Sequence, residues 1–224
     1  MGGRLEERLL ADEPWADRCT SRPRYLRRVP SAPSSPAERP PEIVVVRHGE
    51  TEWSRSGRHT GRTDVPLTDA GRGEAERLRA WLAERRFALV LTSPLLRAAE
   101  TARLAGFADA EPCADLVEWD YGRYEGRTTP EIRRDVPGWS VFRDGVPGGE
   151  SAEAIGARAD AVIARALAAG GDALLFAHAH VLRVLAARWL GLGPREGQLL
   201  VLGTARAGVL GFERETRVLL RWGI

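Results

Sequence analysis

Three short apolar runs in the sequence end in an arginine or a histidine: VVVRHG, ALVLTSPLLR and ALLFAH. The residues placed at or just beyond the ends of these runs are Arg47, His48, Arg97 and His178. Arginine and imidazole side chains that meet at the free N–H groups of helix starts form a pocket for an oxyanion, and phosphate is its most common occupant. The first chemical expectation is therefore a phosphate site.

Each of these side chains also has an ordinary structural explanation. A lone histidine after a strand is more often structural than catalytic, and an arginine at a helix start is usually solvated. His178 and His180 form a His-x-His pair, which is a poor zinc site without carboxylate or cysteine partners. Three of the four histidines nevertheless fall in such motifs, and this joint placement favours an anion site.

The elements that must position these residues are strands that end at one edge of a sheet. Candidate strands are Ile43–Arg47, Ala88–Thr92 and Ala173–Ala177, and a helical pattern follows each of them. Strand–helix alternation predicts an α/β fold with three layers, α/β/α, around a mostly parallel central sheet. In such sheets ligands bind outside the carboxyl ends of the strands.

Cap signatures predict where the helices begin. A helix is expected from Thr68 to Arg85, another after Ser93-Pro94 to about Leu104, one after Thr129-Pro130, one from Ser151 to about Ala169, and one from about Ala179 to Gly191. Three shorter strands are expected near the C-terminus, at residues 199–202, 208–213 and 217–222.

Composition divides the 224 residues into a Pro/Arg-rich N-terminal extension, 1–41, predicted to be disordered, and one domain, 42–224. The extension holds eight Arg and six Asp or Glu, so the domain carries equal numbers of each sign. A neutral domain gives no electrostatic reason to expect nucleic acid or membrane partners. Two cysteines support no disulfide framework, and the expected location is the cytoplasm. A homodimer is left open.

Five motifs in order carry a resemblance to a known family: RHGETEW, SGRHTGRTDVPLTDAGRGEA, SPLLRAAETA, EWDYGRYEG and AHAHVLR. They resemble the histidine phosphatase superfamily, which has the phosphoglycerate-mutase-like fold, from Ile43 to about Phe212. The phrases HTGRTD, EWDYGRYEG and FRDGVPGGES resemble its acid-phosphatase and sedoheptulose-bisphosphatase-like branch.

The resemblance implies catalytic roles for five residues. His48 matches the nucleophile that becomes a phosphohistidine, and Glu118 matches the proton donor to the leaving oxygen. Arg47, Arg97 and His178 match the groups that bind the phosphate and stabilise charge on its equatorial oxygens. The family chemistry implies no metal and no cofactor.

It also implies substrate-binding positions. Thr60 and Gly61 match a loop that closes over the phosphate, Arg62 follows them, and His180 flanks the site. Ser54 stands where many relatives have Asn, so one phosphate hydrogen bond is altered. Ala179 replaces the usual Gly, which would cost on the order of 1 kcal/mol if that position needs a positive φ.

The resulting functional prediction is a phosphoric monoester hydrolase that acts on small phosphorylated molecules, sugar phosphates among them. Two alternatives stay open, a phosphoglycerate mutase and a catalytically silent phosphate-binding module. Only 59 residues separate Glu118 from His178, too few for the insertion of the mutases. The surplus arginines of the loops are candidates for binding a second phosphate or carboxylate: Arg62, Arg123, Arg127 and Arg143.

Overall fold

The structure is a computed structural model that describes residues 39–224. Nearly all of the predicted extension, 1–41, lies outside the described residues, so its disorder stays a prediction. The strands are β1 Ile43–Arg47, β2 Leu89–Thr92, β3 Glu111–Pro112, β4 Ala173–Ala177, β5 Ala207–Glu213 and β6 Thr216–Trp222. The α-helices are α1 Glu52–Arg55, α2 Asp69–Ala83, α3 Leu96–Leu104, α4 Thr129–Asp135, α5 Val141–Asp144, α6 Ala152–Leu167 and α7 Ala179–Trp189.

The six strands form one mixed sheet in the order β3-β2-β4-β1-β5-β6. β3, β2, β4 and β1 pair in parallel, whereas β5 runs antiparallel to β1, and β6 runs antiparallel to β5. The predicted parallel arrangement is confirmed for the strands that precede helices. The antiparallel pair follows from the short connection between β5 and β6, which cannot accommodate a crossover.

Helices cover both faces of the sheet because strand side chains alternate between two cores. Val45 and Leu175 lie in the core that includes residues of α6 and α7. Val44 and Leu174 lie in the opposite core, with residues of α2 and α3. All β4 side chains are buried, as expected for a parallel strand covered on both faces. The predicted three-layer α/β/α arrangement is confirmed.

Two predicted caps are confirmed and two are wrong. Thr68 caps α2 and Ser151 caps α6 through their hydroxyl groups. The N-cap of α3 is Leu95, not Ser93, because the Ser93 hydroxyl contacts a histidine described below. The helix α4 begins one residue earlier than expected, since Thr128 forms a capping box with the third helical residue.

The predicted strand at residues 199–202 is also wrong. A 3₁₀ helix, Pro194–Leu199, occupies its start, and the following carbonyl groups accept hydrogen bonds from side chains rather than from a neighbouring strand. The donor to Val201 is the indole of Trp222, and the donor to Leu202 is Arg47. The apolar pattern is misleading here because Leu199 and Val201 are 71% and 74% exposed.

Candidate active site

The order of the strands brings three strand ends together at one edge of the sheet. β2, β4 and β1 are neighbours, and their carboxyl ends lead into Ser93, His178 and His48. The rings of His48 and His178 lie with their centroids 5.2 Å apart, and both side chains are buried. The structure therefore places the two predicted histidines next to each other in one pocket, with their rings tilted by 59°.

The imidazole of His48 is held in the tautomer that a nucleophile requires. Its Nδ1 lies 2.7 Å from the carbonyl oxygen of Gly49, which can only accept, so Nδ1 carries the proton. Nε2 hydrogen-bonds to no other described residue, so its lone pair is available to attack phosphorus. Burial, followed by the charges of Arg47 and Arg97, lowers the pKa of His48 well below 6.5, so the ring is neutral.

His178 is held in the opposite tautomer. Arg97 Nε donates to His178 Nδ1 over 3.1 Å, and an arginine N–H cannot accept, so the proton of His178 lies on Nε2. Nε2 in turn lies 2.8 Å from Ser93 Oγ. Burial and the charge of Arg97 lower the pKa of His178 as well. The pocket thus offers one imidazole lone pair, on His48, while the N–H of His178 is bonded to Ser93.

Arg97 is fully buried, which excludes the ordinary expectation of a solvated side chain at a helix start. Its Nη2 donates to the carbonyl groups of Thr60 and Gly61 at 3.0 and 2.9 Å, and Nη1 donates to that of Thr63 at 3.0 Å. Arg97 therefore connects His178 to the loop of residues 60–63. Its predicted role as a phosphate ligand stays a prediction.

The amide groups of the same loop are bound from the other side. The Glu125 carboxylate accepts hydrogen bonds from Gly61 N at 2.9 Å and from Thr63 N at 3.1 Å. A Cβ at position 61 would lie 2.6 Å from the Trp119 carbonyl, so only glycine fits. Arg62 points to the loop exterior and pairs with Asp120 at 2.7 Å. The predicted contacts of Thr60, Gly61 and Arg62 with substrate remain predictions.

Arg47 has an unused hydrogen-bond donor inside the protein. Its Nη1 donates to the carbonyl of Leu202 at 2.7 Å, but its buried Nε has no partner. Among the described residues this is the only buried side-chain nitrogen or oxygen without one. A buried donor left unpaired costs about 1–3 kcal/mol, which a bound anion would offset. This observation supports the predicted role of Arg47 in phosphate binding.

Glu118 is buried beside the start of α7. Its Oε1 accepts from the backbone N–H groups of Trp119 and Val181, both at 2.9 Å, and Oε2 accepts from His180 N at 3.0 Å. The carboxylate thus fills the N-terminal end of the helix that follows His178. Because Oε2 accepts only one of these bonds, it is the oxygen best able to carry a transferable proton.

His180 and Tyr121 form a neutral pair next to Glu118. The Tyr121 hydroxyl and His180 Nδ1 are hydrogen-bonded, and Nδ1 lies 4.0 Å from Glu118 Oε2. Burial raises the pKa of Tyr121 well above 10 and lowers the pKa of His180 well below 6.5. The structure therefore places His180 beside the candidate proton donor, in agreement with its predicted flanking position.

Two departures from the family pattern have structural answers. The Ser54 hydroxyl belongs to a capping box with Thr51 at the start of α1, and its contact with phosphate stays a prediction. Ala179 is the first residue of α7 and has no positive φ. The conformational cost considered for this alanine therefore does not arise.

Sequence reasoning missed three residues that shape the site. Ser93 Oγ orients His178, Thr101 Oγ accepts from Gly49 N at 3.0 Å, and Glu125 binds the amide groups of the 60–63 loop. Ser93 had a competing explanation as a helix cap. The only sequence signal for Thr101 was its place four residues after Arg97, on the same face of α3.

Two expectations concern what the site does not use. Within residues 39–224, no group of three or more His, Cys, Asp or Glu side chains is arranged to hold a metal ion. The same residues contain no helix with the length and apolar composition needed to cross a bilayer. A reaction without a metal and a cytoplasmic location go beyond these findings and stay predictions.

The buried histidines predict a loss of stability in mild acid. Burial lowers the pKa of all four, that of His59 to about 4, whereas in the unfolded chain they titrate near ~6.5. Between these values the unfolded state binds more protons, so the free energy of unfolding should fall as pH drops from about 6.5 toward 4. Urea unfolding at a series of pH values measures this loss.

The variant His59→Phe isolates one part of this effect, because phenylalanine keeps a ring against Tyr121 and Trp139. The free energy of unfolding of this variant should fall less in acid than that of the wild type, by on the order of 2 kcal/mol. Parallel pH curves for the two proteins would contradict the assignment of a low pKa to His59.

Comparisons with known proteins agree with this geometry. The family model of the histidine phosphatase superfamily (branch 1) matches residues 43–224. An acid phosphatase of Mycobacterium tuberculosis is 43% identical over 186 residues, which are 81% of this chain and 92% of the relative. A sedoheptulose 1,7-bisphosphatase of Saccharomyces cerevisiae is 37% identical over 190 residues, 70% of each chain.

A solved structure is similar over most of this chain. It is that of an open reading frame from Mycobacterium tuberculosis, with 43% identity and a TM-score of 0.80, covering 83% of this chain and 98% of that chain. The predicted enzyme class, a phosphoric monoester hydrolase, is confirmed by the names of the relatives. With this match in sequence, fold and order of motifs, the chain belongs to the histidine phosphatase superfamily.

Proposed function

We propose that this chain hydrolyses phosphate monoesters of small molecules through a phosphohistidine on His48. The observation that carries the proposal is the state of that imidazole, neutral, protonated on Nδ1 and open at Nε2 between two arginines. A nucleophile of this kind attacks phosphorus without first losing a proton.

The reaction has two steps. In the first, His48 Nε2 bonds to phosphorus while the ester P–O bond breaks, and the proton on Glu118 passes to the leaving alkoxide. In the second, water attacks phosphorus and the P–N bond breaks, while the water proton returns to Glu118. Arg47, Arg97 and His178 surround the phosphoryl group and stabilise the negative charge that spreads over its oxygens.

The proposed substrates are phosphorylated metabolites, and sugar phosphates are the preferred class. The relatives support this choice, since one of them is named a bisphosphatase of a sugar. The cytoplasmic location and a homodimer rest on the sequence alone and are part of the proposal.

The test uses the purified enzyme with a panel of alkyl, sugar and aryl phosphates. Phosphate release is expected in the presence of a chelator, and vanadate should inhibit it because vanadate adopts the five-coordinate geometry of the transition state. Release that requires an added divalent metal would contradict the mechanism. Phosphate binding without turnover would favour the silent module, and transfer to a second phosphoglycerate molecule would favour the mutase.

A further inference from the structure

A cavity of about 360 Å³ lies between helix α2 and the turn that precedes β5. None of the residues that line it belongs to the predicted catalytic or substrate-binding set. Its lining includes four residues of α2 and two of the turn: Glu74, Arg77, Leu78, Trp81, Ala205 and Arg206. Small-molecule sites have volumes of roughly 300–1,000 Å³, so this cavity is large enough for a ligand of its own.

The helix side of the cavity has an apolar surface. Leu78 and Trp81 are three positions apart on α2 and therefore lie on the same face of the helix. Leu78 is buried, whereas Trp81 is only half-buried. The guanidinium of Arg85 lies over the Trp81 ring, 5.2 Å from its centroid, which helps to hold the indole in place. A half-buried indole beside a cavity provides an apolar contact for a planar ring of a ligand.

Two guanidinium groups at the cavity have no acidic partner. Arg77 and Arg206 are exposed, and neither forms an ion pair within residues 39–224. On the same helix Arg72 does have a partner, since it pairs with Glu100 at 3.0 Å. Arg77 and Arg206 are therefore free to form charge-assisted hydrogen bonds to an anion.

The lining of the cavity is also bonded to the backbone of the nucleophile segment, residues 47–50. Ala205 N donates to the carbonyl of His48 at 3.0 Å. From α2, the carboxylate of Glu74 accepts from Glu50 N at 2.9 Å. The segment that carries the nucleophile is thus held by two residues that a ligand in the cavity would contact.

Ala205 adopts a backbone conformation that alanine disfavours. Its φ is 47°, and it is the third residue of a turn closed by a hydrogen bond from Arg206 N to the Gly203 carbonyl. Glycine is the usual residue at such a position, because a side chain there is sterically unfavourable. The next carbonyl, of Arg206, accepts from Arg47 N at 3.1 Å. Strained residues of this kind cluster at functional sites, and this one lies in the wall of the cavity.

We propose that this cavity is a regulatory site for a small organic anion distinct from the substrate, an aromatic ring that carries one anionic group. Leu78 and Trp81 contact the ring, and Arg77 and Arg206 bind the anionic group. A ligand that prefers one position of the turn at Ala205 shifts the population of that position. Because the turn holds the backbone of His48, occupancy changes kcat rather than KM.

The binding test uses three probes: 2-naphthoate, the neutral 2-naphthamide, and acetate, which is an anion without a ring. Calorimetric titrations are made with saturating vanadate, so that the catalytic pocket is blocked. The naphthoate should bind at one site per chain with a dissociation constant on the order of 0.1–1 mM. The other two probes should bind more weakly by about tenfold, because each lacks one of the two kinds of contact.

Two variants and one control locate the site. Arg77→Gln and Trp81→Leu should each weaken the binding of 2-naphthoate by about tenfold. Arg79→Gln is the matched control, because Arg79 is an exposed arginine of the same helix that does not line the cavity. Its dissociation constant should equal that of the wild type. If melting temperatures show that Trp81→Leu has lost its fold, Arg77→Gln decides, since it alters only an exposed side chain.

The kinetic test measures hydrolysis of p-nitrophenyl phosphate at several concentrations of 2-naphthoate. The probe should change kcat of the wild type by at least about twofold and leave KM unchanged. The effect should disappear in Arg77→Gln and persist in Arg79→Gln. A rise in KM alone, equal in the wild type and in Arg77→Gln, would mean that the probe enters the catalytic pocket, and the proposal would be wrong.

The remaining outcomes are equally decisive. If 2-naphthoate does not bind in the presence of vanadate, or binds no better than 2-naphthamide, the cavity is not a site for an anion. Binding with an unchanged kcat would overturn the link between the cavity and His48. The calorimetric result does not depend on turnover, so failure of this proposal is distinguishable from failure of the proposed function.

Discussion

Replacing His48 by alanine is expected to lower turnover of phosphate monoesters by on the order of 10⁴-fold or more and to remove the covalent phosphoenzyme. No other described imidazole has the same geometry, since Nδ1 of His178 accepts from Arg97, Nδ1 of His180 is bonded to Tyr121, and Nε2 of His59 is bonded to the Thr129 hydroxyl. The measurement is rapid quenching with labelled substrate, followed by quantitation of acid-labile phosphate on the protein.

A variant that has merely unfolded would give the same loss, so two controls are needed. The alanine variant should still bind vanadate, because the arginines of the pocket are unchanged. Added imidazole should restore part of the hydrolysis of an aryl phosphate, since it fits the space that the side chain leaves. A labelled adduct that survives acid, or that persists in His48→Ala, would place the nucleophile elsewhere.

Replacing Glu118 by glutamine is expected to slow the hydrolysis of phosphate esters. The effect should be larger when the leaving group has a greater need of a proton. The rate of hydrolysis of alkyl and sugar phosphates should fall about 10²–10⁴-fold, whereas the rate of the first step with p-nitrophenyl phosphate should fall much less. In the second step glutamine cannot accept the proton of the attacking water, so the phosphoenzyme should accumulate with aryl substrates. Single-turnover rates of the wild type and the variant, measured for substrates whose leaving groups differ in pKa, give the dependence of the loss on the leaving group.

The structure adds a complication to this variant. The glutamine oxygen can keep the bonds to Trp119 and Val181, but its NH₂ group would face the N–H of His180, and two donors in contact cost about 1–3 kcal/mol. The free energy of unfolding of this variant is therefore expected to fall as well. Any loss of activity that comes from this destabilisation would be the same for all substrates. Only the dependence on the leaving group reports proton transfer, and equal losses across the whole series would exclude Glu118 as the donor.

Local patterns predict the central strands and the starts of α2, α6 and α7 correctly. β1 and β4 are continuous apolar runs because helices cover both faces of the sheet, and Thr68 and Ser151 cap helices through bonds to residues three positions away. These interactions lie within the window that a sequence displays. The segment 199–202 misleads because its apolar residues are exposed, a property that only the tertiary structure decides.

Prediction of the active site from the sequence has the same limit. The types and order of Arg47, His48 and His178 predict a phosphate pocket, because strand ends of a parallel sheet meet at one edge. The partners that set their protonation states are not predictable in this way. Ser93 lies 85 residues from His178 in the chain, and Glu125 lies 64 residues from the glycine that it binds, so no local pattern links them.

The loop of residues 60–63 has a consequence for the kinetics of the enzyme. Its carbonyl groups are bound by Arg97 and its amide groups by Glu125, so both sides of an irregular segment are bonded within the protein. The conformational entropy of this segment is lost during folding rather than at each catalytic cycle. We therefore expect substrate entry and phosphate departure to require no opening or closing of this loop.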